Sequence, residues 1–307
     1  MDPICHTLAG AVLAQTRLRS LTTRATLTLV LAANIPDIDI IAAFMGRNLE
    51  LRRGLTHGIP ALIVWPFIVA ALILLYDRWR SKPGETRASY RGLVILAAIG
   101  TASHPLLDFL NSYGMRWLMP MVDRWYYGDT LFIIDIWMYL ILGVGLVLAV
   151  RARRRGLADS ARPAHWAVAA ATLYVALMAG TTWLGRRAAG AELGEAKHLM
   201  VAAVPVNPFV KQLVADYGDR LIVGTVRLLP TPTVRQEREV MRDALFPVAI
   251  LAASRTREGR AFLGWARFPA SVALGRDDLV RIYDLRYSDG SEPSWASVTV
   301  QWSLGGR

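Results

Sequence analysis

Three histidines and three carboxylates stand within or at the rims of apolar stretches in the first 110 residues: His6, Asp37, Asp39, His57, His104 and Asp108. A charged side chain at membrane depth costs roughly 2.5 to 3.5 kcal/mol on insertion scales, so it persists where it is paired or bound to something. A single divalent cation would hold all of them. Mixed imidazole and carboxylate donors suit zinc first, with manganese or iron as alternatives, whereas magnesium wants fewer imidazoles. Such an ion lowers the pKa of bound water to about 7 and supplies hydroxide near neutral pH.

Spacing sharpens this chemistry. His104 and Asp108 are four residues apart, which on a helix puts both on one face, either to share a metal or proton or to pair locally. Asp37 and Asp39 follow Asn34, Ile35 and Pro36. On a regular α-helix they would diverge by about 200°. Both reach one centre only if the backbone is unwound, which Pro36 favours and a polar cavity tolerates; otherwise two acids face the headgroups beside a kink. The run Arg52-Arg53-Gly54-Leu55-Thr56-His57 offers an imidazole ligand and a guanidinium able to grip a phosphate or carboxylate. Of the two arginines, Arg53 reads as functional and Arg52 as a charge at the bilayer edge.

The elements that must position these groups are membrane spans. In a chain of 307 residues that is 54% hydrophobic, apolar windows at residues 24–45, 58–76, 93–110, 131–150 and 166–184 each approach the length needed to cross a bilayer, about 20 residues. Residues 4–16 predict a shorter helix inserted from the outer side, packed through Ala9, Gly10, Ala11 and Ala14. Beyond residue 185 no such window recurs. Alternation with Val, Ile, Tyr and Trp at 220–229, 261–268, 278–287 and 294–304 predicts strands, and 236–254 carries a helical pattern. The fold class expected is a membrane all-α helical bundle of about five spans plus the N-terminal short helix, residues 1–188, followed by a soluble α+β or mainly β domain, residues 189–307.

Charge gives orientation and excludes a partner class. Residues 1–189 carry 20 Lys/Arg against 11 Asp/Glu, or +9, and residues 190–307 carry 15 against 13, or +2, so most of the net +11 belongs to the membrane half. That is a topology signal with anionic membrane lipid as partner, not a nucleic-acid surface. The richest connections are 17–24, 78–91 and 151–162. Placed inside by the positive-inside rule, they leave Asp37, Asp39, His57, His104 and Asp108 converging on the outer leaflet, with the C-terminal domain extracytoplasmic. The N-terminus lacks the basic lead of a cleavable signal and is expected to be retained. Cys5 is the one cysteine, so no intrachain disulfide forms. No nucleophile elbow, phosphate loop or dinucleotide fingerprint occurs, which argues against serine-triad and nucleotide chemistry. The aromatic stretch 111–129 suits an interfacial loop, either roofing the site or packing as core.

Four pieces together resemble the largely uncharacterised family of bacterial membrane-bound metal-dependent hydrolases: Met-Asp-Pro-x-x-His-x-Leu-x-Gly from Met1 to Gly10, Asn-x-Pro-Asp-Ile-Asp ending at Asp39, Arg-Gly-x-Thr-His from Arg53 to His57, and His104-x-x-x-Asp108. The resemblance covers about the first 150 residues. It implies a multi-pass bacterial inner-membrane protein with metal-dependent hydrolase activity. One departure stands out, because relatives commonly carry histidine where this chain has Arg52, which would leave one ligand fewer or a weaker second site. The remaining set still exceeds the three protein ligands of a catalytic zinc.

The resulting assignment takes His6, Asp37, His57, His104 and Asp108 as metal ligands. Asp39 is a general base or an orienter of a ligand, Arg53 binds the leaving anionic group, and Thr56 joins them as a catalytic residue. The expected function is hydrolysis of an ester or phosphoester in a lipid or lipid-linked substrate at the outer leaflet of the inner membrane. The alternatives are a non-enzymatic anchor with a structural metal, or a transporter or ion pathway. Clustering at one leaflet argues against the last, since a relay would continue to the other side.

Overall fold

In the computed structural model, which describes residues 1–275 and 278–302, the Asp2 side chain accepts hydrogen bonds from the amides of Ile4 and Cys5. With Pro3 in the first turn, this starts helix α1, Pro3–Leu13. Thr16 then caps a short 3-10 helix, Arg17–Leu21, and the chain enters α2, Ala25–Asn34. A second 3-10 helix, Ile35–Ile40, continues into α3, Ile41–Phe44, and a turn leads to α4, Asn48–Leu51. Four longer helices follow: α5 Ile59–Arg80, α6 Tyr90–Phe109, α7 Ile136–Arg154 and α8 Arg162–Leu193. Ala25–Phe44 and α5 to α8 are the five helices long and apolar enough to cross a membrane, with α1 shorter. This is the expected bundle of about five spans plus a short N-terminal helix.

Close approach, rather than bulk, joins the helices that carry the polar residues. A Cβ on Gly10 would lie 2.7 Å from the Leu29 carbonyl oxygen, so α1 rests directly on α2 because position 10 has no side chain. Ala32, Val69, Ala70, Ile73, Leu93 and Ala97 form the core shared by α2, α5 and α6. At the far end from the candidate residues, Arg24 Nε sits 2.5 Å from Asp77 Oδ1, and Asp77 Oδ2 accepts the Ala88 amide at 2.8 Å. A buried carboxylate thus ties the α5–α6 connection to the start of α2.

Two compact units divide the chain, Met1–Ile41 with Arg53–Ala179, and Ala42–Arg52 with Gly180–Arg307. The boundary anticipated at 188/189 falls inside α8. The second unit contains a four-stranded antiparallel sheet, β1 His198–Ala203, β2 Val210–Asp216, β3 Arg220–Arg227 and β4 Thr233–Met241, in that order. Helices α9, Leu245–Arg255, and α10, Arg257–Trp265, precede a three-stranded antiparallel sheet of β5 Pro269–Ala273, β6 Leu279–Asp284 and β7 Ser297–Gln301. Met200, Val214, Leu221, Phe268, Ala270 and Tyr283 pack between the sheets. The domain is α+β.

Two local expectations are corrected. Residues 261–268 are not a strand: Phe262 and Trp265 are both buried at helical spacing, and they anchor α10. Residues 236–254 are not one helix, because 233–241 pairs with β3. Its Gln, Glu and Arg residues are good helix formers, but pairing overrides propensity, and charge suits an exposed sheet edge. The strands β1 and β2, rich in alanine and leucine, carried too little β-branched signal to be anticipated. Of the strand expected at 294–304, residues 303 and 304 lie outside the described residues.

Within this domain Asp284 is fully buried. It receives Arg286 Nε at 2.9 Å and the amides of Arg267 and Phe268 at 2.6 and 3.2 Å. Burial alone would raise its carboxyl, but the Arg286 guanidinium and these amides hold it below the ordinary carboxylate range. A depressed folded-state pKa gives stability that is complete above the unfolded value, about 3.9, and lost as pH falls through the folded value. Thermal unfolding of the full chain in detergent should therefore show Asp284→Asn destabilised by about 1 to 3 kcal/mol at neutral pH. The gap to wild type should narrow below about pH 4; a gap independent of pH would refute the assignment.

Candidate metal centre

Three separate stretches of chain deliver the polar groups to one place. The 3-10 helix Ile35–Ile40 turns about 120° per residue instead of about 100°, so residues two apart diverge by about 120° rather than 160°. The backbone after Pro36 is thus tightened rather than unwound, and the two acids are split between inner and outer positions. Asp37 Oδ1 lies 3.8 Å from Nε2 of both His57 and His104. Asp39 Oδ2 instead sits behind His57, 3.2 Å from its Nδ1, and accepts the Arg53 amide at 2.7 Å and the Thr56 hydroxyl at 3.1 Å.

The loop from Arg53 to Gly58 is shaped to allow this. Arg53 adopts φ of 51°, a left-handed conformation rare for a side-chain-bearing residue, and its amide is thereby turned onto Asp39. Gly58 lets the aromatic stretch pass over the start of α5, since a Cβ there would lie 2.4 Å from the Met119 carbonyl oxygen. The Ile59 amide donates to the Trp117 carbonyl at 2.9 Å. Tyr113 and Trp125 of this stretch are buried against each other, with ring centroids 5.8 Å apart.

On α6, His104 and Asp108 share one face, as their spacing suggested. His104 Nδ1 is 2.7 Å from the Ala33 carbonyl oxygen. Asp108 Oδ2 lies 3.5 Å from Nε2 of both His57 and His104 and has no hydrogen-bond partner, although it is buried. Asp108 Oδ1 faces the other way. It accepts Arg53 Nη2 at 2.9 Å, contacts the Met1 amino group, and stands 3.2 Å from His6 Nε2.

These acceptors match one neutral tautomer of each ring. A carbonyl and a carboxylate require N–H at Nδ1 of His104 and His57 respectively, so in the neutral rings both Nε2 atoms present lone pairs. Those two nitrogens are 3.0 Å apart, a contact that a shared proton or a bound cation relieves and two bare lone pairs do not. Two imidazoles bound to one tetrahedral zinc-like ion place their nitrogens about 3.3 Å apart, close to this separation. The donor set of Asp37, His57, His104 and Asp108, all within 4.8 Å of one another, therefore fits a divalent metal in both chemistry and spacing.

Four of the eight sequence-derived candidates, His6, Asp39, Arg53 and Thr56, surround this group without belonging to it. His6 stacks on His104 with ring centroids 3.8 Å apart, and its Nε2 is directed to Asp108 Oδ1. Asp39 and Thr56 bracket His57 Nδ1, with Thr56 Oγ1 at 2.9 Å. The Arg53 guanidinium reaches Asp108, Asn111 Oδ1 at 3.2 Å and the Gly114 carbonyl at 3.0 Å, under the Tyr113 ring at 4.8 Å. Asp108 is both a member of the four and the anchor point for His6 and Arg53. Arg52, half-buried at the end of α4, is not part of the group. Asn111, two residues past the end of α6, was not anticipated. The Ala33 carbonyl could not be anticipated, because a backbone acceptor leaves no mark on residue type.

Asp39 offers a direct check of the outer layer. Asp39→Asn keeps an oxygen near His57 but removes the charge that fixes its tautomer, and such changes typically weaken metal affinity by 10–100-fold. Competition of the purified variant against a graded chelator should show a loss in that range; wild-type affinity would mean that Asp39 does not orient His57.

A family model described as YdjM inner membrane protein matches residues 1–184, which include every residue of this site. The uncharacterized protein YfhP of Bacillus subtilis (strain 168) is 27% identical over 92 residues, 29% of this chain and 26% of that protein. The chain thus aligns with about a quarter of that relative's length. No solved structure matches.

Proposed function

This chain belongs to the YdjM inner membrane protein family, and from that membership and its buried donor set we propose that it is a metal-dependent hydrolase of an ester or phosphoester in a lipid or lipid-linked substrate. The observation that carries the reading is the pair of Nε2 atoms held 3.0 Å apart with a partnerless Asp108 oxygen 3.5 Å from each. A bound ion, zinc by preference and manganese or iron otherwise, would supply an activated water and polarise the reacting carbonyl or phosphoryl group.

The chain's own residues divide the remaining work. Asp108 is neutralised on its outer oxygen by Arg53, so that its inner oxygen stays directed at the centre. Asp39 and Thr56 hold His57 in the ligating tautomer, and Ala33 does so for His104. Arg53 acts through Asp108 rather than on the leaving group. Among the four donors His57, His104 and Asp108 are fully buried, while Asp37 keeps 11% of its side chain exposed. The Asp37 carboxylate oxygens are buried as well, so this exposure lies on carbon and the whole donor set sits beneath the surface. Ile4, Ile38, Ile40, Leu55 and Ile59, close in sequence to the site residues, are exposed, an apolar border that suits a molecule already partitioned into the leaflet. By the positive-inside rule, the basic connections at the other end of the bundle support a site in the outer leaflet and an extracytoplasmic C-terminal domain.

Reconstituted protein loaded with zinc or manganese should turn over at least one member of a panel of lipid esters and phosphoesters, and Asp37→Ala should abolish that turnover while leaving the protein folded. The near-complete burial favours one rival, a structural metal in a membrane anchor. Stoichiometric metal with no turnover of any lipid by wild type would select that rival.

A further inference from the structure

At the end of the helical unit remote from the metal centre, two cavities meet. One, of about 440 Å³, is bordered by Arg17, Arg19 and Arg153 together with Ser20 and Ser160. The other, of about 480 Å³, is bordered mainly by Leu13, Leu18, Leu21 and Val168. Thr16 and Arg17 line both, so the polar cavity opens along an apolar groove.

The local fold explains the juxtaposition. Thr16 ends α1 by donating to the Leu13 carbonyl at 2.7 Å, and its oxygen receives the Leu18 amide at 3.3 Å, which starts the 3-10 helix. That turn sets Arg17 and Arg19 beside the last turn of α7, where Arg153 donates to Gln15 Oε1. Among the described residues, no carboxylate pairs with Arg17, Arg19 or Arg153 within 4 Å. Three arginines that line one cavity with no carboxylate paired to them leave positive charge for an anion to meet. Basic pockets between membrane helices take phosphate headgroups by the same logic.

We propose that this corner binds one anionic phospholipid, its phosphate among Arg17, Arg19 and Arg153 and an acyl chain along the groove formed by Leu13, Leu18, Leu21 and Val168. The paired cavities favour a whole lipid over a free phosphate. An aqueous anion would have no use for an apolar groove of similar size. The site is independent of the metal centre and of the hydrolytic reading.

Native mass spectrometry of the full chain in neutral detergent, titrated with dioleoylphosphatidylglycerol or dioleoylphosphatidylcholine, tests this. Wild type should retain the anionic lipid at least about tenfold better than the zwitterionic one, and Arg19→Gln with Arg153→Gln should bring the ratio close to one. Glycerol 3-phosphate at millimolar concentration should not displace the lipid. Arg19→Gln alone, at an exposed position, guards against misfolding and should lower the ratio by about threefold or more. An unchanged ratio in folded variants, or displacement by glycerol 3-phosphate, would overturn the proposal.

Discussion

Purified wild type is expected to carry a metal that His104→Ala protein loses. His104 Nε2 is one of two imidazole donors 3.0 Å apart, and its Nδ1 is committed to Ala33, so no rotation of a neighbour replaces it. Removing a donor that touches the ion should weaken binding by more than the 10–100-fold typical of an outer partner, thus by at least about 100-fold. Elemental analysis after dialysis against a mild chelator should find about one ion per wild-type chain and under a tenth of that in the variant. Equal metal content in the two proteins would sink the centre itself. Loss of metal with unchanged turnover would instead remove the metal from the chemistry.

The second large effect is expected at Arg53. Its side chain is 4% exposed and faces Asp108, which is fully buried. Cutting one partner from a buried pair costs about 3 to 5 kcal/mol where nothing else compensates the charge, and here the Met1 amino group remains, which sets that range as an upper bound. Arg53→Ala should therefore lower the unfolding midpoint in detergent sharply, well beyond the effect of Asp39→Asn. Arg53→Lys should restore only part of it, because one ammonium cannot reach Asp108, Asn111 and Gly114 as the guanidinium fork does. A midpoint for Arg53→Ala within 1 °C of wild type would show that Asp108 is satisfied without it.

Much of the helical unit is legible because its signals are one-dimensional. Hydropathy marks the spans, and spacing alone puts His104 and Asp108 on one face. The second domain is less so. Its core is made by pairing between distant strands, and residues 233–241 carry a helix-forming composition that only the partner strand β3 overrides. The residues of 261–268 were read as alternating when their burial follows a helical period through Phe262 and Trp265.

By itself the sequence determined which residue types could bind a metal, that they lie on membrane-spanning stretches, and to which family the first 184 residues belong. Only the tertiary structure decided how those residues share the work. Asp37 turns to the centre and Asp39 to the back of His57 because the backbone there is 3-10 helical. His6 and Arg53 hold Asp108 from behind because α1 and the left-handed turn at Arg53 meet α6 at that level. Ligand roles depend on where lone pairs point, and that direction is set by partners far away in the chain, including a backbone carbonyl that residue identity never reveals.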